Sequence, residues 1–288
     1  MSTWVWVDGA VVTLDRAKVS AADRGLLLGE GVYETISVRE QTPFALHRHL
    51  DRLRGSAEIA RIELIWSDTE LTRICHEVIA AAVADLSNSH AGTLRLRITV
   101  TGGRPGPTPS SPSVPTLVVM VEPEPPVAPT ATVAVSPWPM NDMSPLAGAK
   151  VTSRHDYTLA RAEALAQGAD EAVFFNTRGK LVEGSVTNLF LVVAGRLSTP
   201  SLATGCLPGV TRSIVMELVE VNERDDLTVD DLRFATEAFL TSTIRGVQTI
   251  TSVDGTALTS APGPLTTAAH NALESLKSGS AGTAPSPT

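Results

Sequence analysis

Eight residues near the middle of the chain, Glu122-Pro123-Glu124-Pro125-Pro126-Val127-Ala128-Pro129, constrain the fold more than any other stretch. Proline at this density cannot continue a helix or a central strand, and it makes a stiff connector. The segment therefore predicts a division into a first domain over 1–121, a linker over 122–129 and a second domain over 130–277. The Gly/Ser/Pro/Ala-rich stretch 278–288 reads as a disordered tail. The 288 residues are 43% hydrophobic, enough for each part to bury a core of its own.

Periodicity supplies the elements. Residues 4–14 alternate around Asp8-Gly9, a hairpin signal. Leu46, Leu50, Leu53, Ala57 and Ala60 recur at helical spacing, and 69–85 reads as a second helix. Leu94 to Thr101 alternates as a strand, with Arg95, Arg97 and Thr99 on one face and Leu94, Leu96, Ile98 and Val100 on the other. A loop is predicted over 102–115 and a strand over 117–121. Beyond the prolines, Thr132–Val135 reads as a strand, and a helix begins near Ser153 or Asp156 and stops at Gly168. A meander follows through 171–175, 181–183 and 188–193. A helix is predicted over 211–221 behind Pro208-Gly209, then a strand over 238–242. Strands mixed with helices predict an α+β (mixed α/β) class.

The net charge of -8 and the lack of a basic stripe argue against a nucleic-acid partner. No apolar run reaches the length of a membrane span, and the N-terminus reads as strand and turn, not as a secretory signal. Two cysteines, Cys75 and Cys206, give neither a disulfide framework nor a metal spacing. A soluble, cytoplasmic protein without a metal is the expectation.

The chain has four lysines, and only Lys150 sits among small apolar residues, in Pro145-Leu146-Ala147-Gly148-Ala149-Lys150-Val151. Desolvation lowers a lysine's pKa and makes its amine nucleophilic, although an isolated lysine is more often solvated at a strand end. Glu183 lies on a predicted strand behind Leu181-Val182. It is either an exposed edge residue or a carboxylate turned toward a cationic ring nitrogen. Leu207-Pro208-Gly209-Val210-Thr211 runs into an apolar helix. Such a helix start either is simply capped or offers backbone N–H groups to a phosphate. Arg52, on the first predicted helix, has the planar fork that matches phosphate, but would by default be solvated.

In this order the motifs resemble the class IV (fold type IV) PLP-dependent aminotransferase family. The matching stretches are DRGLLLGEGVYETI (23–36), HLDRLRGSA (49–57), GAK (148–150), GADEAVFFNTRGKLVEGSVTNLF (168–190), STP (198–200), GCLPGVTR (205–212) and EAFLTSTIRGVQTITSVDG (237–255). The resemblance implies a two-domain fold, a small α/β domain and a larger β-barrel-like domain with helices, normally in a homodimer. It implies pyridoxal 5'-phosphate (PLP) as cofactor and Lys150 as the Schiff-base lysine that also shuttles the proton. It further implies Glu183 as the pyridine-nitrogen partner and Arg52 as the phosphate arginine. Val210 and Thr211 would form one wall of the phosphate cup and Thr243 and Ile244 the other, with Tyr33 on the substrate side. Where many relatives have Tyr or Asn-Tyr after the lysine, this chain has Arg154-His155. Either residue is a candidate for the cofactor's phenolic oxygen or for a substrate carboxylate. Arg95, Arg97 and Arg245 are the other candidates for that carboxylate.

Tyr33-Glu34-Thr35 replaces the Phe-Glu-Gly of the branched-chain enzymes and is closer to the lyases and D-amino acid transaminases of the family. The preferred reading is 4-amino-4-deoxychorismate lyase, which releases pyruvate to give 4-aminobenzoate for folate biosynthesis. An amino-acid transaminase of D-amino acid or branched-chain type is the alternative, and a cofactor-free binding protein of the same fold a remote one.

Overall fold

The computed structural model describes residues 3–85, 92–106 and 113–280. They fall into two compact units. Among the described residues, the first runs to Pro126 and takes back Ala149–Ser153; the second holds Val127–Gly148 and residues 154–280. The break lies inside the proline-rich segment. Assignment of 149–153 to the second domain is corrected, because this segment hydrogen-bonds to the first unit. Tyr33 N donates to the Lys150 carbonyl at 3.0 Å and Thr152 N to the Gly31 carbonyl at 2.8 Å.

The first unit is built on a six-stranded antiparallel sheet. Its strands are β1 (Trp4–Val7), β2 (Ala10–Thr13), β3 (Gly31–Arg39), β4 (Thr42–Pro43), β5 (Leu94–Arg104) and β6 (Val114–Pro123), in the order β2-β1-β6-β5-β3-β4. The helices are α1 (Arg24–Leu28), α2 (Leu46–Ala60) and α3 (Asp68–Asp85). Alternation decides the two faces. Leu94, Leu96, Ile98 and Val100 are buried together with the inner faces of α2 and α3, and Arg95, Arg97 and Thr99 lie half-buried on the other side. β3 follows the same rule. Val32, Ile36 and Val38 are in the buried phase, and so is Glu34, while Tyr33 and Thr35 lie in the half-buried one.

The second unit holds β7 (Thr130–Val135), α4 (His155–Ala166), β8 (Glu171–Phe175), β9 (Leu181–Gly184), β10 (Asn188–Val193), β11 (Arg196–Pro200), α5 (Val210–Leu218), β12 (Asn222–Arg224), α6 (Val229–Arg233), β13 (Ala238–Ser242), β14 (Gly246–Val253), β15 (Thr256–Ala257) and α7 (Pro264–Ser280). Eight strands run in the order β12-β11-β10-β13-β14-β7-β8-β9, with β15 paired to β14. β9, at one end of this path, lies beside β10 and β11 near the other, so the sheet curls on itself. Its interior is apolar, with Val133, Val173, Leu181, Leu189, Leu191, Leu240 and Ile250 in one buried cluster.

Several expectations need correction. The loop set at 102–115 is too long: β5 continues to Arg104 and β6 begins at Val114, and residues 107–112 lie outside the described residues. The meander is broken, because β9 pairs with β8 while β10 pairs with β11 and β13. The helix predicted to 221 stops at Leu218. Residues 278–280, read as tail, belong to α7, and 281–288 lie outside the described residues. Helices α1, α6 and α7 and six strands, β3, β4, β11, β12, β14 and β15, were not foreseen. Among the described residues no helix is long and apolar enough to cross a membrane.

The entry to β3 depends on Asp23, which is fully buried. Its carboxylate caps α1 by accepting from Gly25 N at 2.7 Å, and it accepts from Thr101 Oγ1 at 2.9 Å and Thr116 Oγ1 at 2.7 Å on β5 and β6. Replacement by alanine leaves those donors without their acceptor. Asp23→Ala should therefore destabilise the protein by about 2 kcal/mol or more in urea denaturation. Asp23→Asn, which retains one acceptor oxygen, should lose less.

Candidate active site

Lys150 follows Gly148, whose φ of +78° lies in the left-handed region that glycine adopts without strain. Its backbone is pinned twice. The amide donates to Ser56 Oγ on α2 at 3.0 Å, and the carbonyl accepts from Tyr33 N on β3 at 3.0 Å. The amine Nζ lies 4.6 Å from the centroid of the Tyr33 ring, and the Arg97 guanidinium lies 4.0 Å from the same centroid. The sequence-predicted residues Lys150, Tyr33 and Arg97 are thus brought together on the half-buried face of the first sheet. Arg97 also donates to Thr99 Oγ1 at 3.2 Å, and burial pulls its pKa below the usual arginine value. Arg95 stands apart from this group and pairs with Glu122 at 2.6 Å.

On the opposite, helix-facing side of β3 lies a cluster that sequence reasoning missed. Glu34 is fully buried. Arg52 reaches it bidentately, with Nε 2.8 Å from Oε1 and Nη2 2.6 Å from Oε2, and His49 Nδ1 lies 2.7 Å from Oε2. Burial by itself would raise the Glu34 pKa. The charge and hydrogen bonds of Arg52, helped by His49, outweigh it and hold the carboxyl at about 2. Burial pushes the His49 pKa down, against the opposing pull of Glu34 and with the cations Arg52 and Lys150 adding to the depression. A neutral imidazole facing a carboxylate must carry its proton on Nδ1 and donate it. The signal was present in the sequence: a glutamate in phase with Val32, Ile36 and Val38 has to be paired.

In the second unit Glu183 is 3% exposed at the end of β9. It is the inward-turned carboxylate of the two readings, not an edge residue. Oε2 accepts from Leu207 N at 2.9 Å and Asn188 Nδ2 at 3.3 Å, and Oε1 pairs with Arg154 Nη2 at 3.3 Å. Arg154 lies over the Tyr157 ring at 3.7 Å, and Tyr157 packs on Phe174 with ring centroids 4.7 Å apart. His155, the first residue of α4, is exposed.

Two residues past Leu207 the chain enters α5. Gly209 is required by close approach, since a Cβ there would collide with Asn188 Oδ1. Val210 and Thr211 are buried in the first turn, whose amides point out of the helix end. Thr243 and Ile244 lie half-buried in the turn between β13 and β14. Arg245, in the same turn, pairs with the buried Glu171 at 2.9 Å and is committed there. Cys206 is buried, and burial pushes its thiol up to about 12.

This donor set can be tested against a cofactor on chemical grounds. An aldehyde needs an amine on an anchored backbone, a pyridine nitrogen needs a buried carboxylate, and a phosphate needs arginine and a helix start. The first unit carries Lys150 and Arg52 and the second carries Glu183 and the start of α5, residues of those types. Among the described residues no group of side chains is fit to hold a metal ion.

The family model for amino-transferase class IV matches residues 31–253. D-alanine aminotransferase of Bacillus licheniformis is 30% identical over 283 residues, covering 94% of this chain and 95% of its own. The branched-chain-amino-acid aminotransferase of Salmonella typhimurium is 28% identical over 271 residues, covering 88% and 85%. A solved branched-chain aminotransferase from the archaeon Thermoproteus uzoniensis matches with a TM-score of 0.86 at 29% identity, over 97% of this chain and 96% of that one. The chain belongs to the class IV aminotransferase family. It is a PLP-dependent enzyme of that family, and its two-unit architecture is fold type IV.

The buried Glu34 gives a pH prediction. Its carboxyl titrates at 4.5 when unfolded and near 2 when folded, so between those values the unfolded chain binds more protons. The pair contributes on the order of 3 kcal/mol above this window, and the contribution disappears as pH falls through it. Denaturation measured from pH 7 to pH 2 should show this acid limb, and Glu34→Gln should flatten it while lowering stability at neutral pH. An acid limb unchanged in that variant would contradict the pairing.

Proposed function

We propose that this chain is an amino-acid transaminase that carries PLP on Lys150 and moves an amino group from an amino acid to a 2-oxo acid. The observation that carries the reading is the anchoring of Lys150. Its backbone is fixed to β3 and α2, and its amine stands by the Tyr33 ring with Arg97 alongside. Relatives named D-alanine and branched-chain aminotransferases support transamination over the lyase.

Bound PLP supplies an electron sink that stabilises negative charge at the carbon bearing the amine. The chain's residues do the rest. Lys150 Nζ takes the proton from that carbon and returns it at the neighbouring position. Arg97, a half-buried cation beside Tyr33, holds the substrate carboxylate; Arg95, paired with Glu122, is the weaker candidate. Glu183 would accept a hydrogen bond from the ring N–H and so favour the protonated ring. Arg52, Val210, Thr211, Thr243 and Ile244 hold the phosphate. Arg52 presents only part of its fork, because Nε and one face of Nη2 are occupied by Glu34. We extend the reading to a cytoplasmic homodimer, in which the exposed Leu26, Leu27 and Leu28 of α1 would meet a second copy. A sedimentation mass of one chain would overturn that part.

Tyr33-Glu34-Thr35 keeps the lyase as a second reading. One experiment separates the two. Mixed with an amino acid alone, a transaminase should lose its visible cofactor absorbance to the amine form and release a 2-oxo acid once per site. A lyase should leave that band in place and release pyruvate continuously from aminodeoxychorismate. Lys150→Ala should reduce either turnover by about 10²-fold or more, and borohydride should fix the label to position 150 in the wild type. Label on another residue would overturn the assignment.

A further inference from the structure

Glu183 is shared. A carboxylate offers about four lone-pair positions. Oε2 already accepts two donors, Leu207 N at 2.9 Å and Asn188 Nδ2 at 3.3 Å. Oε1 accepts Arg154 Nη2 at 3.3 Å. A pyridine N–H arriving at this carboxylate therefore has to divide Oε1 with a guanidinium. Arg154 is not a loose surface residue that could turn away: its side chain is 14% exposed, and its guanidinium lies 3.7 Å over the Tyr157 ring, itself packed on Phe174. The ring contact and the ion pair together hold the guanidinium beside the carboxylate.

We propose that Arg154 is a positioning residue for Glu183, which clamps one carboxylate oxygen and thereby keeps the cofactor's ring nitrogen less protonated than an unshared carboxylate would. The inference rests on the reading of Glu183 as the ring-nitrogen partner. Two physical effects act in the same direction. A carboxylate neutralised by a guanidinium is a weaker acceptor for a pyridinium proton, and a fixed cation close by disfavours a second cation on the ring. The other groups facing Glu183 do not offset them. Tyr157 stays a neutral phenol, because burial and then the charge of Glu183 raise its pKa; Cys206 stays a neutral thiol, chiefly by burial; Asn188 and the Leu207 amide do not ionise. A less protonated ring would be a weaker electron sink for the reacting carbon.

The test reads the ring directly. Wild-type protein and the Arg154→Gln, Arg154→Met, Arg154→Lys and Glu183→Gln variants are loaded with PLP labelled with 15N in the ring, and the 15N chemical shift is recorded at one neutral pH. Arg154→Gln and Arg154→Met should both move the signal toward the protonated form. Arg154→Lys, which keeps the charge, should stay near wild type. Glu183→Gln should move the signal the opposite way, toward the unprotonated form. Two neutral variants allow for one failing to fold, and circular dichroism shows which of them is folded. A wild-type signal in the folded neutral variants, with Glu183→Gln still shifted, would overturn the role of Arg154 alone. A signal that ignores Glu183→Gln as well would overturn the ring-nitrogen reading, and the role of Arg154 with it.

Discussion

The position of Lys150 depends on a short backbone contact. Residues 150–152 return from the far side of the proline-rich segment and add themselves to β3, with Val151 bridged to Val32 and Thr152 N bonded to the Gly31 carbonyl. Backbone hydrogen bonds of this kind do not depend on which side chains flank them, and they hold the strip to the edge of β3. A lysine on a free loop would sample solvent. On this strip its amine stands 4.6 Å from the centroid of the Tyr33 ring.

The two faces of β3 carry different chemistry for the same reason. Tyr33 and Glu34 are neighbours in sequence and point to opposite sides of the sheet. One face gathers an amine, a phenol and a guanidinium; the other buries a carboxylate between an imidazole and an arginine. Burying Glu34 costs several kcal/mol unless it is paired, and the bidentate Arg52 satisfies it. The same arginine is the proposed phosphate ligand, so its orientation is set from behind by Glu34. The second unit repeats this logic: Glu183 is oriented by a backbone amide, an asparagine and an arginine before any ligand arrives.

The resemblance read from motifs led to the family, which the comparisons bear out, and to PLP. It led less well to the reaction. The lyase preference rested on short stretches, GEGVYE around Tyr33, TVTGG (99–103), GCLPGVTR (205–212) and LTSTIRGVQ (240–248), whereas relatives matched over most of the chain are named aminotransferases. Members of one fold share the groups that hold a cofactor, and differ in the few that hold a substrate. Motifs dominated by the former carry little information about the latter.

Much of the first sheet was legible in the sequence. The alternation of Leu94 to Val100, the Asp8-Gly9 turn and the helical stripe from Leu46 to Ala60 are local patterns, and the local backbone obeys them. The short strands β11, β12 and β15 were not legible, because they are defined by their partners and not by a period of their own. Nor could a sequence show that Arg52 belongs to Glu34, Arg245 to Glu171 and Arg154 to Glu183, pairs separated by 18, 74 and 29 positions. Composition and spacing determined which charged residues were available and which strands would be buried. Only the tertiary structure decided which charge each one meets, since Coulomb energy in a desolvated setting depends on distances of a few ångströms between residues far apart along the chain.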